Sequence, residues 1–253
     1  MNRSRTRVPE NPTPRRATDG RDNNTATGTP LLDVNSVTCG YERAPLVEDV
    51  TFRLVRGEAI VLTGPNGAGK STLLRTLAAQ QRALSGELRL SGRPMIENSL
   101  FYRQNVSSLF DEDAFLPGLT VRQHLQLVAR GHRMPEPDTA VDQALDEFGL
   151  IERAAVSPYE LSSGQRRRAL LATTFLRPFA LLILDEPEQR LDGEMRSWLT
   201  ARLVEHRESG AGILVATHDQ GLADAVGTSR VALDAHGGWK LHGSSTNDPH
   251  GSA

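Results

Sequence analysis

Hydrophobic positions along this chain change period several times, and each change marks an element. "LLDVNSVT" from Leu31, "EDVTFRLV" from Glu48 and "GELRLSG" from Gly86 alternate apolar and polar residues, the period of two of a half-buried strand. "EAIVLTG" from Glu58, "FALLILDEP" from Phe179 and "AGILVATHD" from Ala211 are instead short continuous apolar runs that end in polar residues. Such runs predict parallel strands buried on both faces. After the first comes "STLLRTLAAQ" with helical spacing, after the second "DGEMRSWLTARLVEHRESG", and after the third the short "QGLADAV". From about Thr120 to Tyr159 the pattern is helical only. The parse is an α/β sheet core with a helical insertion between its halves. No internal repeat at solenoid or propeller periods appears.

Residues 1–29 are rich in Arg, Thr, Asn and Pro with almost no large apolar side chain, and residues 243–253 are similarly polar. Neither stretch buries enough surface to offset the entropy of ordering, so both are expected to be flexible tails around a domain at 30–242. In 253 residues there are 29 basic and 31 acidic side chains, which gives no global nucleic-acid surface. Lysine occurs only at Lys70 and Lys240. Cys39 is the single cysteine, so no intrachain disulfide can form and a reducing compartment is expected. No apolar run is long enough to span a membrane, and no apolar segment follows the N-terminal arginines as a secretory signal would require.

Lys70 stands in "GPNGAGKST", formed by Gly64, Pro65, Asn66, Gly67, Ala68, Gly69, Lys70, Ser71 and Thr72. The stretch follows a buried strand and opens a helix, the context in which backbone N–H groups wrap nucleotide phosphates. Lys70 is placed to reach the β and γ phosphates and Ser71 to ligate Mg²⁺. A phosphate loop needs a metal carboxylate on a neighbouring strand, and "LLILDEP" delivers Asp185 and Glu186 at a strand's carboxyl end. Adjacent strand residues point opposite ways, so Asp185 can serve Mg²⁺ while Glu186 polarises an attacking water.

A third motif, "ELSSGQRRRALL", joins a small turn to a helix, a geometry for holding an anion at the helix's positive end. Together with "GPNGAGKST" and "LLILDEP" in this order, its "LSSGQ" resembles the nucleotide-binding subunit of an ATP-binding cassette (ABC) transporter, whose signature reads LSGGQ. The resemblance covers residues 31 to 242. It implies a P-loop NTPase core of the ABC ATPase type, with an antiparallel β subdomain and a helical subdomain at about 114–160 between the Walker A and signature motifs. It implies ATP as substrate with Mg²⁺, and a head-to-tail pair of cassettes in which each signature, here Leu161, Ser162, Ser163, Gly164 and Gln165, caps the γ-phosphate held by its partner. A homodimer is favoured and a heterodimer stays open.

By the same resemblance Tyr41 is the aromatic that stacks on adenine, Asp192 the D-loop aspartate facing the partner's phosphate loop, and His218 the switch histidine at the γ-phosphate. Arg190 and Ser163 depart from the family pattern. In "VSSLFDEDAFLPGLTV", Asp111 occupies the place of the Q-loop glutamine that serves the metal, and Gln104 lies outside the expected spacing. The remaining histidines, and the arginine run 166–168, are read as surface or phosphate-edge residues. The implied function is the ATPase subunit of a transporter, export favoured by the "SSGQRRR" style. It would be held at the cytoplasmic face of the cell membrane by separate membrane-spanning subunits, with the helical subdomain receiving a partner's coupling helix. Two alternatives are a soluble ABC ATPase acting on nucleic acid and a hydrolysis-impaired cassette in a heterodimer. Against the first, about 90 residues separate phosphate loop and signature, without cysteine pairs or heptads. Against the second, Glu186 and His218 are present, whereas Asp111 and Ser163 keep it open.

Overall fold

A computed structural model describes residues 30–41, 44–97, 99–110 and 114–243. The two expected tails lie outside the described residues, apart from Gly243, which ends a strand, and so does Asp111. The three alternating stretches give β1 (Leu32–Tyr41), β2 (Ala44–Leu54) and β4 (Ser85–Leu90), with a short β5 (Arg93–Pro94). Among the described residues they form an antiparallel sheet in the order β2-β1-β4-β5.

The continuous apolar runs give β3 (Ala59–Thr63), β7 (Leu181–Asp185) and β8 (Gly212–Ala216). With β6 (Val106–Leu109), β9 (Ser229–Leu233) and β10 (Trp239–Gly243) they build a second sheet, ordered β10-β9-β3-β8-β7-β6. All its pairings are parallel except β10 with β9. The alternation that buried strands hide from a sequence pattern is plain in the packing. Ala59, Val61, Leu182, Leu184, Ile213 and Val215 face one apolar cluster, which they share with the helices of the insertion. Ile60, Leu62, Leu181, Ile183, Leu214 and Ala216 face the other, made with the antiparallel sheet and the helix after β3.

Register decides where the chemistry goes. Leu62 lies level with Ala216, and Ala216 with Asp185, so β3, β8 and β7 end together with β8 in the middle. The segments after them, from Gly64, Thr217 and Glu186, leave the same sheet edge side by side.

The insertion consists of α3 (Val121–Gly131), α4 (Pro137–Glu147) and two single 3₁₀ turns, Ile151–Arg153 and Pro158–Glu160. It leads into α5 (Ser163–Leu176), and α6 (Gly193–Glu208) follows β7. The insertion is fastened to the core by aromatic contacts: Phe148 meets Trp198 of α6 edge-on with ring centroids 4.7 Å apart, and Phe175 of α5 at a tilt with centroids at 6.2 Å. His124, read from sequence as a surface residue, is instead buried on α3 edge-on to Phe115. Burial there disfavours its charged form and lowers its pKa. Among the described residues no helix is long and apolar enough to cross a membrane.

Candidate active site

The phosphate-loop stretch opens α1 (Lys70–Leu77), an eight-residue helix whose apolar face, Leu73, Leu74 and Leu77, is fully buried. Two of its glycines are required by position. Gly64 has φ 145°, and a Cβ there would lie 2.5 Å from the Leu233 carbonyl oxygen. Gly69 caps α1 with φ 91°, and a Cβ would meet Val47 at 2.8 Å. Lys70 is 7% exposed, and its ammonium donates to the carbonyls of Gly64 at 2.8 Å and Pro65 at 3.1 Å. An ammonium has three donors, so two hold the loop in shape and one is left for a phosphate oxygen. Ser71 is exposed at the first turn of α1.

Asp185 ends β7 and is 6% exposed, and its Oδ1 is buried with no hydrogen-bond partner among the described residues. A dry, unpartnered carboxylate oxygen fits a hard cation. No group of three or more His, Cys, Asp or Glu that could hold a metal gathers among the described residues. Among the described residues, a Mg²⁺ ion here would rest on Asp185 and the Ser71 hydroxyl, together with oxygens of a bound nucleotide.

Glu186 takes the left-handed region, φ 46°, and aims its carboxylate across to the end of β8. His218 Nε2 lies 3.3 Å from its Oε1, and Gln189 donates to its Oε2. Glu188, which the sequence reading passed over, is buried beneath this pair. Its Oε1 accepts from the Thr217 hydroxyl at 2.5 Å and from the His218 N–H at 3.2 Å. No pattern distinguished it from a solvated acid, since it sits in an irregular turn where periodicity has no force.

The signature motif forms the start of α5. Ser162 caps the helix, accepting from Gln165 N–H at 3.3 Å, while Gln165 Oε1 accepts from Ser162 N–H at 3.2 Å. Leu161 is buried, whereas Ser162 and Ser163 are exposed. A Cβ on Gly164 would stand 3.0 Å from the Arg190 carbonyl oxygen, so the signature lies directly on the D-loop. Asp192 caps α6 through Met195 N–H at 2.9 Å and is also bonded by Arg168. The Met195 N–H first, and the Arg168 charge after it, hold its carboxyl below the ordinary aspartate value.

The arginine run is not a solvated face. Arg166 donates to the carbonyls of Tyr159 and Leu161, Arg168 to Asp192, and Arg167 is 2% exposed. A signal for this was present: 167, 170, 171 and 174 follow the i, i+3, i+4, i+7 spacing of a buried helix face. Tyr41 is 62% exposed at the end of β1 and lines a cleft with Arg75 and residues 80–84. Gln104 is exposed on α2 (Leu100–Asn105), before β6 and so at the opposite end of that strand from the site.

Strand, glycine loop and lysine-headed helix, with an acid pair two strands away at the same edge, are the architecture of a P-loop nucleotide-binding ATPase. Comparison with known proteins narrows the class. The family model described as ABC transporter matches residues 47–189. The chain is 33% identical over 190 residues to the SkfA peptide export ATP-binding protein SkfE of Bacillus subtilis (strain 168), which covers 74% of this chain and 79% of that protein. It is 34% identical over 209 residues to the spermidine/putrescine import ATP-binding protein PotA of Pseudomonas aeruginosa (strain UCBPP-PA14), across 81% of this chain. That match spans 56% of PotA, little more than half of the relative's length. A solved structure described as the ATP binding subunit of an ABC transporter aligns with TM-score 0.75 and 31% identity, over 81% of this chain and 87% of that one. The chain belongs to the ABC transporter family, as an ATP-binding subunit.

Proposed function

We propose that this chain hydrolyses MgATP as one of two cassettes that drive a transporter through separate membrane-spanning subunits. The observation that carries the reading is the shared sheet edge, where Lys70, Asp185, Glu186 and His218 leave three neighbouring strands. Glu186 is the group to take a proton from the attacking water, and His218, 3.3 Å away, orients it. Lys70 offers its remaining donor to the β and γ phosphates, with the loop Gly64 to Thr72 supplying N–H groups around them. Bound Mg²⁺ supplies charge neutralisation at the phosphate oxygens. Tyr41 presents an open ring for adenine to stack on, and Asp111 serves the metal in the place of the family's glutamine.

The exposed start of α5, with Asp192 beside it, is the surface that completes a facing cassette's site. The second cassette is another copy of this chain. Membrane-spanning partners dock on the helical insertion, which borders a cleft of about 500 Å³ lined by residues 132–135 of the insertion and 175–180 of the core. Names of relatives include both import and export, and we take export, on the "SSGQRRR" signature. The chain then sits at the cytoplasmic face of the membrane, held there by its partners.

The test is Lys70→Ala. Without the ammonium, the phosphate charges go uncompensated where water is partly excluded. ATP hydrolysis, measured as phosphate release, should vanish and ATP binding weaken; near wild-type turnover would overturn the assignment.

A further inference from the structure

A guanidinium as dry as that of Arg167, 2% exposed, must be paired to be tolerated. Its partners include three consecutive carbonyl oxygens of the turn that carries Glu186. Nη2 donates to Asp185 O at 3.0 Å and to Glu186 O at 2.6 Å, and Nε to Pro187 O at 3.4 Å. Successive carbonyls of an extended strand point to opposite sides, so three of them converge only where the chain leaves that geometry. It does so at Glu186, whose φ of 46° is costly for a residue with a Cβ and persists only where the surroundings over-determine it. Arg167 is one such constraint, and it is rooted in α5, the helix whose first turn is the signature.

We propose that Arg167 is a positioning residue that couples the signature helix to Glu186, so that a displacement of α5 moves the carboxylate. The inference rests on the function proposed above, in which α5 opens towards the partner's nucleotide while Glu186 acts on the chain's own. Arg167 then links the occupancy of one site to the base of the other. The planar fork suits this task, because it holds several acceptors in one fixed arrangement, which a point charge cannot do. Arg166 and Arg168 cannot substitute, since their bonds go to the approach of α5 and to Asp192.

Full-length wild type, Arg167→Gln and Arg167→Lys are compared for MgATP turnover, for equilibrium binding of a fluorescent ATP analogue, and for thermal unfolding. Arg167→Gln should lose roughly ten- to a hundredfold in kcat, the scale of a misplaced catalytic group, with analogue affinity within about twofold of wild type. Arg167→Lys should recover part of that loss. Turnover should depend cooperatively on ATP in the wild type and hyperbolically in Arg167→Gln. An unchanged kcat, a parallel loss of affinity and turnover, or hyperbolic turnover already in the wild type overturns the link. Should Arg167→Gln fail to fold, Arg167→Lys decides by the same split between kcat and affinity. A wild type without ATPase activity overturns the proposed function and this inference with it, whereas an active wild type beside an equally active Arg167→Gln overturns this inference alone.

Discussion

Both oxygens of Glu186 are engaged within the chain, one by His218 and one by Gln189, and an acceptor-only group of about four lone pairs still has room for a water. Beside it, Asp185 keeps its buried Oδ1 without a hydrogen-bond partner among the described residues. Leu109 pairs with Leu184, so β6 ends beside the end of β7. If Asp111 serves as the Q-loop residue, the site brings one more negative charge than the family's glutamine does. Aspartate is shorter and, when ionised, accepts but never donates, so it serves a cation better than a water. Asp111→Gln should therefore retain ATPase activity with a shifted, weaker Mg²⁺ requirement, and Asp111→Ala should lose more activity than Asp111→Gln. Magnesium titrations of steady-state turnover check this; wild-type rates and an unchanged titration in both variants would place Asp111 on the loop surface only.

At the scale of elements, α3, α5 and α6 begin where side chains answer their open N–H groups, whereas α1 starts from Gly69 without a side-chain cap. Thr120 caps α3 with Gln123 in a reciprocal box, Ser162 caps α5, and Asp192 caps α6. The depressed carboxyl of Asp192 means its cap is complete above the ordinary aspartate range and is lost only as pH falls through its lower folded value. Thr120 is far enough from the chemistry in role to isolate the cap. Thr120→Ala should cost about 1 kcal/mol, seen as a lowering of Tm by a few degrees with kcat unchanged. These starts were legible in the sequence, as were the buried strands and the glycine loop, because each is a local pattern with one physical solution. Glu188 was passed over and Arg167 read as a surface or phosphate-edge residue, although both are buried ionic residues that hold the catalytic turn. Their partners are groups of segments distant in the chain, the Thr217 hydroxyl and His218 N–H for Glu188 and three carbonyls for Arg167, and composition treats a charge as solvent-facing until tertiary contacts show otherwise. His124 escaped because its burial comes from packing against Phe115, which no local pattern of the sequence records.

For the whole molecule, the question is what faces the end of α5. The capping box occupies the Gln165 N–H, Gly164 lies against the Arg190 carbonyl, and the first N–H groups of a helix have no acceptor within it. An open helix N-terminus favours an anion. In a head-to-tail pair the γ-phosphate on a partner's loop provides it, and two such contacts form at once by symmetry. In the proposed pair, hydrolysis would remove the phosphate through which each signature meets its partner's loop and so open both contacts. Slowing the chemical step without disturbing closure should therefore trap the pair. Glu186→Gln does this, since the amide keeps the size and an acceptor oxygen but is no longer a base. MgATP should double the sedimenting mass of Glu186→Gln, and ADP should not. The wild type should show the larger species only transiently. A Glu186→Gln chain that stays monomeric at saturating MgATP would reject self-pairing, leaving the exposed start of α5 to a different cassette.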